Sequence, residues 1–216
     1  RHVGTQGFAL SLADAGQAGG SFITNGVLSL DVADWTNSSL LQAQRLDLKV
    51  GTFTQTASGK LVSIDDITAS GGDWTNDGAI ETEGKLQLAL TGRYQGNGSL
   101  KSLGDLTLSA ANAELGQGAQ LRSGGQGEFR LGSSLVNAGT ISTVGDALLI
   151  VASLDNRGTL GAAQKLRIEA PTLLNQGLVF SGADMALRAN SLTNLKGDIY
   201  SLGALSVAKD DANGQM

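Results

Sequence analysis

The feature that most constrains this chain is a 19-residue repeat in its second half. Asparagine recurs at that spacing, and a leucine stands two positions before each asparagine. The same few residue types at one fixed spacing are typical of a solenoid, in which each repeat is one stacking unit. The leucines are Leu135, Leu154, Leu173 and Leu192, and the asparagines are Asn137, Asn156, Asn175 and Asn194.

The spacing inside one repeat indicates strands. The recurring residues Leu154, Asn156, Gly158 and Leu160 occupy every second position. This two-residue period is that of a strand with one buried face. A leucine-rich repeat has a similar length, but its fixed residue order is absent. We predict an all-β fold, a right-handed parallel β-helix of about ten coils of roughly 19–20 residues. Each repeat ends in an alternating pair expected to face the core: Leu148 and Ile150, Leu166 and Ile168, Met185 and Leu187, Leu205 and Val207.

Three segments, 154–160, 166–170 and 173–179, carry a family resemblance, and 197–207 extends it. They resemble the repeats of filamentous haemagglutinins and of contact-dependent growth inhibition exoproteins, the surface proteins of two-partner secretion systems. The resemblance implies a secreted, cell-surface location and an outer-membrane transporter as the export partner. It also implies a receptor on target bacteria or host cells for the whole protein.

The composition agrees with one elongated domain over 1–216, and we expect it to be an internal fragment of a much larger protein. Glycine is abundant (31 of 216), aromatics are 4 % of the chain and Pro171 is the one proline, which suits a narrow core with many tight turns. The net charge of −5 and the lack of a basic run argue against nucleic-acid binding. Without cysteine there are no disulfides, and no apolar run approaches the length of about 18 residues that membrane insertion needs.

Upstream, the repeat is marked by tryptophan. Asp34-Trp35-Thr36-Asn37 returns as Asp73-Trp74-Thr75-Asn76, 39 residues later, which is close to two coils. Tryptophan takes the place that leucine has downstream. We therefore expect Trp35 and Trp74 to fill rungs of the core together with Leu135, Leu154, Leu173 and Leu192.

Three stretches depart from the repeat. Residues 1–20 show only a faint pattern and are expected to be an irregular or capping entry, and the spacing between Leu48 and Trp74 is loose. Glycines crowd 116–127, so we predict an excursion from the solenoid over 109–130. Excursions often carry the binding surface of a solenoid.

The asparagines are expected to form a ladder. Stacked coils separate equivalent residues by about 4.8 Å, and a side-chain amide both donates and accepts hydrogen bonds.

The sequence offers no catalytic group, because His2 is the one histidine and no base partner stands near the many serines and threonines. Asp65 and Asp66 make a poor acid/base dyad, because adjacent residues of a strand point to opposite faces, and no calcium-binding motif surrounds Glu81 and Glu83. We expect no cofactor, no metal and no enzymatic activity.

Two functions remain open. The first is a structural shaft that projects an adhesive or toxin-delivery module from the cell. The second is direct adhesion to host cells or other bacteria, with a contact surface near 94–130 or on exposed rungs. A carbohydrate-processing β-helix enzyme fits least, because such an enzyme needs carboxylates and aromatic residues clustered along one groove.

Overall fold

The computed structural model describes residues 2–4, 8–12, 15–18 and 20–209, with side chains from residue 20 onward. These residues contain 27 β-strands and no helix, and every strand pairing is parallel. The all-β parallel solenoid predicted from the repeat is therefore confirmed. The strands are β1 (His2–Gly4), β2 (Phe8–Leu12), β3 (Ala15–Ala18), β4 (Phe22–Thr24), β5 (Val27–Asn37), β6 (Leu40–Ala43), β7 (Arg45–Gln55), β8 (Lys60–Ser63), β9 (Ile67–Gly71), β10 (Trp74–Asn76), β11 (Ala79–Thr82), β12 (Leu86–Leu90), β13 (Arg93–Gly96), β14 (Ser99–Ser102), β15 (Leu106–Leu115), β16 (Gln120–Ser123), β17 (Gly127–Asn137), β18 (Thr140–Thr143), β19 (Ala147–Asn156), β20 (Thr159–Ala162), β21 (Leu166–Glu169), β22 (Thr172–Asn175), β23 (Leu178–Ser181), β24 (Met185–Arg188), β25 (Ser191–Asn194), β26 (Asp198–Ser201) and β27 (Leu205–Ala208).

The strands form two sheets. Sheet A has 11 short strands, one from each coil, in the order β1-β4-β6-β8-β11-β14-β16-β18-β20-β23-β26. Sheet B has 16 strands and takes the rest of each coil, either as one long strand such as β19 or as two short ones such as β21 and β22. Each coil thus crosses sheet A once, turns, follows sheet B and turns again.

The core lies between the sheets and is one row of side chains per coil. Along β19 the inward residues are Ala147, Leu149, Val151 and Leu154, all at most 5 % exposed. Their equivalents in neighbouring coils lie directly above and below, because the strand register is in phase from coil to coil. The alternation of the sequence therefore becomes a continuous apolar interior along the solenoid axis.

An aromatic column runs through the N-terminal half of the core. Trp35 pairs in register with Phe53, Phe53 with Trp74, and Trp74 with Tyr94. The ring centroids of Trp35 and Phe53 are 4.9 Å apart, and those of Phe53 and Trp74 are 4.6 Å apart. Trp74 Nε1 donates to the Val50 carbonyl at 3.1 Å, so its one polar atom is satisfied inside the core. The loosely spaced stretch before Trp74 is thus a regular coil with phenylalanine in the tryptophan place.

Residues 109–130 follow the solenoid path, in place of the excursion that the sequence predicts. Strands β15, β16 and β17 pair with the coils on both sides over this range. The irregularity is limited to register shifts between Ala110 and Asn112 and between Leu131 and Ser134. The glycines of 116–127 lie largely in the two turns that flank β16, where neighbouring backbones approach closely.

The prediction that Leu148 and Ile150 face the core is wrong by one residue. Both side chains lie on the outer face of sheet B, and Leu149 is fully buried in their stead. Six consecutive apolar residues, 147–152, fit either alternation, and the pairing of Leu149 with Ile168 fixes the register.

Two predictions concern the ends of the solenoid: the core leucine Leu192 and the entry segment 1–20. Leu192 occupies the leucine place in β25 but is 37 % exposed, because no later coil among the described residues packs on it. Within the expected entry segment 1–20, the strands β1, β2 and β3 pair with the next coil. Residues 1, 5–7, 13–14 and 19 of that segment lie outside the described residues, as do residues 210–216.

The aromatic column generates a stability prediction. Trp74→Ala should lower the free energy of unfolding by about 3–5 kcal/mol, because it removes a fully buried side chain between two aromatic neighbours. Ile64→Ala is the matched control, since Ile64 is 49 % exposed and should change stability by less than about 0.5 kcal/mol. Urea unfolding followed by circular dichroism measures both values, and similar losses in the two variants would contradict a core role for Trp74.

Candidate functional site: the polar columns of the solenoid

The second half of the solenoid holds a column of side-chain amides, which we call the amide column. Asn137 Nδ2 donates to Asn156 Oδ1, Asn156 Nδ2 to Asn175 Oδ1, and Asn175 Nδ2 to Asn194 Oδ1, each at 2.8 Å. The first three residues are fully buried and Asn194, in the last of these coils, is exposed. The four asparagines that the sequence singles out are therefore brought into one hydrogen-bonded row.

Each amide also holds the turn that leads into sheet A. Asn137 Oδ1 accepts the Gly139 N–H at 3.2 Å, and Asn137 Nδ2 donates to the Thr159 carbonyl at 3.1 Å. Asn175 repeats the first contact with Gly177 at 3.3 Å. The glycine is needed for close approach, since a Cβ on Gly177 would lie 2.0 Å from the Gly158 carbonyl oxygen. One buried asparagine thereby satisfies groups in two coils.

The first half contains a second part of the amide column, which the sequence analysis missed. Asn37 Nδ2 donates to Gln55 Oε1 at 2.9 Å, and Gln55 Nε2 donates to Asn76 Oδ1 at 3.0 Å. Asn76 Nδ2 then donates to the Tyr94 hydroxyl at 3.1 Å. The signal was present, because Phe53-Thr54-Gln55 repeats the pattern aromatic-threonine-amide of the two tryptophan segments.

The amide column is interrupted in two coils. Gly96 and Leu115 stand at the amide place, and Gly96 has a φ of 138°, in the left-handed region that favours glycine. After Leu115 the turn is longer and closes on itself, since Ala119 N–H donates to the Gly116 carbonyl at 3.0 Å. The turn after Gln55 closes in the same way. Where no asparagine caps a short turn, the backbone supplies the hydrogen bond.

A hydroxyl column lines the other corner, where the sheet A strands end. Ser63 Oγ donates to Thr82 Oγ1 at 2.7 Å, and Ser123 Oγ bonds with the carbonyls of Gly104 and Gln126 at 2.9 and 2.8 Å. These residues form no recognisable motif in the sequence, yet the side chains of the column from Ser63 to Ser181 are buried. Its members satisfy carbonyls of the turn that follows sheet A. They are Ser63, Thr82, Ser102, Ser123, Thr143, Ser181 and Ser201.

The acidic residues have structural partners. Asp66 Oδ1 accepts the Lys85 N–H at 2.7 Å, one coil further on, and Asp105 Oδ1 accepts the Gln126 N–H at 3.0 Å. The Gln126 hydrogen bond lowers the pKa of Asp105. Glu81 forms an exposed ion pair with Lys101 at 3.1 Å. These carboxylates join neighbouring coils and do not converge on a common point.

The described residues contain no group of three or more metal-ligating side chains, and no helix among them could span a membrane. The turn at Gly124 and Gly125 does not offer a phosphate cradle, because both N–H groups donate to carbonyls of the previous coil. The side chain of His2 lies outside the described residues. The polar columns therefore serve to join each coil to its neighbours by hydrogen bonds.

The amide column generates a prediction at Asn156. Asn156→Ala should destabilise the protein by about 1–3 kcal/mol, because one N–H of Asn137 Nδ2 loses its acceptor inside the core and Asn175 Oδ1 loses one of its two donors. Asn194→Ala is the control, because Asn194 is exposed and water can replace its contact. Urea unfolding of the two variants should separate them, and an equal loss would show that burial of the column is unimportant.

Tyr94 generates a prediction on pH. Burial raises the pKa of the Tyr94 phenol well above its ordinary value, while the Asn76 hydrogen bond acts in the opposite direction. A raised folded-state pKa contributes stability that is complete below the unfolded value of about 10 and is lost as the pH rises above it. The unfolding free energy should fall less steeply above that pH in Tyr94→Phe than in the unsubstituted chain. Identical slopes would contradict the prediction.

Comparison with known proteins agrees with this architecture. The haemagglutinin repeat model matches residues 82–127, 122–170 and 162–215. The protein named "Deoxyribonuclease CdiA" from Dickeya dadantii (strain 3937) is 28 % identical over 214 residues, which covers 88 % of this chain and 6 % of that protein. No solved structure matches the chain significantly. The chain belongs to the haemagglutinin repeat family.

Proposed function

We propose that this chain is a segment of a rigid shaft in a large secreted bacterial surface protein, and that it projects a distal module away from the cell. The observation that carries the proposal is the continuity of the two sheets through every described coil. Eleven strands of sheet A give ten spacings of about 4.8 Å, or roughly 50 Å of length. A uniform stack of this kind suits a spacer.

The interior supports mechanical stiffness. Core side chains and amides contact equivalent groups in the next coil, and hydroxyls such as that of Ser123 bond to a carbonyl of the preceding coil, so bending the axis would open several contacts at once. In such a stack the stability is close to a sum of coil and nearest-neighbour terms, so the length can change without redesign of the fold. A spacer needs that property.

Family membership supports an export partner and a location, and both are part of this proposal. The protein would pass through an outer-membrane transporter of a two-partner secretion system and reside at the cell surface. Each coil can dock on the coil before it as the chain emerges, which would draw the chain outward without ATP. The relative's name describes a deoxyribonuclease, and this chain corresponds to 6 % of that protein. We assign a delivered activity of that kind to other parts of a parent protein.

Direct adhesion is the second candidate, and one surface feature favours it. Phe180 and Tyr200 stack on the outer face of sheet A with ring centroids 5.8 Å apart, and Tyr200 is 52 % exposed. The other described aromatic side chains lie in or against the core. Exposed aromatic residues are enriched in binding interfaces. This pair replaces the stretch 94–130 as the first place to look for an adhesive contact.

A deletion of whole coils tests the shaft. Removal of residues 138–175, two 19-residue repeats, places Asn137 where Asn175 stood and restores the same turn. The variant should unfold in a single transition and be shorter by about 10 Å, measured by small-angle X-ray scattering. In a parent protein, the distal activity should survive while the surface projection shortens.

The matched control removes residues 138–165, which is not a whole number of coils. It joins one sheet B strand to another and should abolish the cooperative transition. Equal folding of the two variants would contradict a coil-by-coil spacer.

Binding of the labelled protein to epithelial cells and to sibling bacteria that lack this protein separates the two candidates. The shaft proposal predicts no saturable binding to either cell type. Saturable binding that Tyr200→Ala abolishes would favour direct adhesion, and Thr140→Ala on the same face serves as the control.

A further inference from the structure

The corner that follows sheet A carries a line of exposed aliphatic side chains. Leu103, Val144 and Leu202 are 71 %, 62 % and 64 % exposed, and each directly follows the last residue of a sheet A strand. Large apolar side chains aligned on a surface mark an interaction site. We call the six residues at this place in consecutive coils the corner ridge: Leu103, Gly124, Val144, Ala163, Gly182 and Leu202.

Backbone hydrogen bonds show that these residues are equivalent. The N–H of Val144 donates to the Ser123 carbonyl at 2.9 Å, and the N–H of Ala163 donates to the Thr143 carbonyl at 2.9 Å, so each ridge residue bonds to the preceding coil in the same way. Read along the axis, the ridge has the order Leu, Gly, Val, Ala, Gly, Leu. Reversal about the midpoint between Val144 and Ala163 places leucine opposite leucine, glycine opposite glycine, and Val144 opposite the smaller Ala163.

A groove of about 620 Å³ runs beside the corner ridge over the same six coils, from Asp105 to Ser206. One of its edges is the column of residues that precede the sheet B strands: Asp105, Gln126, Asp146, Lys165, Asp184 and Ala204. Reversing this column about the same midpoint places Asp146 opposite Lys165, Gln126 opposite Asp184 and Asp105 opposite Ala204. No carboxylate then faces another carboxylate.

We propose that the corner ridge and its groove bind a second copy of this chain, side by side and antiparallel, about a twofold axis between Val144 and Ala163. A twofold interface uses the same patch on both partners, so the patch must be complementary to its own reverse. The ridge meets that condition because apolar or small residues face one another along its length, and the groove meets it in charge at Asp146 and Lys165. Leu103 of one copy packs near Leu202 of the second copy, and Asp146 faces Lys165 across the axis.

The contact is short in this segment. Six coils span five spacings, or about 24 Å, so the association belongs at the small end of protein–protein interfaces. A covalent trap is the suitable measurement, and the chain has no cysteine of its own to interfere. Leu103→Cys and Leu202→Cys are made separately, and both positions are exposed, so folding should be unaffected.

Mixed under mild oxidation, the two variants should form an L103C–L202C cross-linked dimer as the main product. Within one copy these positions are five coils apart, too far for a disulfide, and in the antiparallel pair each lies far from its own equivalent. A dominant cross-link of L103C with itself would mean parallel pairing and would overturn the proposal, as would the absence of any cross-link.

A charge on the ridge provides the second test. Val144→Asp brings two carboxylates close to the twofold axis and should reduce the cross-linked yield by about tenfold, or about 1.4 kcal/mol. Ile64→Asp is the matched control, because Ile64 is an exposed aliphatic residue at the same corner place but outside the six coils. Equal effects of the two substitutions, or no effect of Val144→Asp, would contradict the proposed interface. Circular dichroism spectra should be unchanged in both.

Discussion

Parallel stacking of each coil on the next is the interaction on which the rest of the structure depends. Backbone hydrogen bonds hold equivalent residues at the spacing of about 4.8 Å, and this spacing brings like side chains into contact. Asparagine meets asparagine at 2.8 Å, and aromatic rings meet at 4.6 to 4.9 Å. A polar residue can be buried in such a core because the coil above it supplies the missing partner.

The interruptions of the amide column show how the stack tolerates variation. At Tyr94 a phenol replaces the next amide as acceptor, and after Leu115 a longer turn makes its own backbone hydrogen bond. In each case the buried polar groups stay satisfied although the residue type changes. The residue types of a coil can therefore vary, and so can its length, which ranges from 18 to 22 residues in the described register. The two sheets continue throughout.

The outer surface contributes little to stability compared with the interior. Ion pairs such as Lys49 with Asp31 are more than half exposed on both partners, so they are worth little to stability and chiefly keep the shaft solvated. Exposed apolar groups are instead confined to particular places, among them the corner ridge and the pair Phe180 and Tyr200. A uniform interior with sparse exterior features suits a shaft whose contacts with other molecules are local.

The sequence by itself determined the fold class, the period and the row of four asparagines, because identical residues at equal spacing can be stacked in only one register. It also determined the family. It could not fix the register of 147–152, where six apolar residues in a row fit both faces of a strand. Nor could it show that Gln55 continues the amide column or that 109–130 keeps to the solenoid, since a glutamine or a longer turn breaks the pattern in sequence but not in space. Those points were decided by tertiary structure, because the pairing of neighbouring coils selects the register in which the buried amides find partners in the next coil and Leu149 lies in the core.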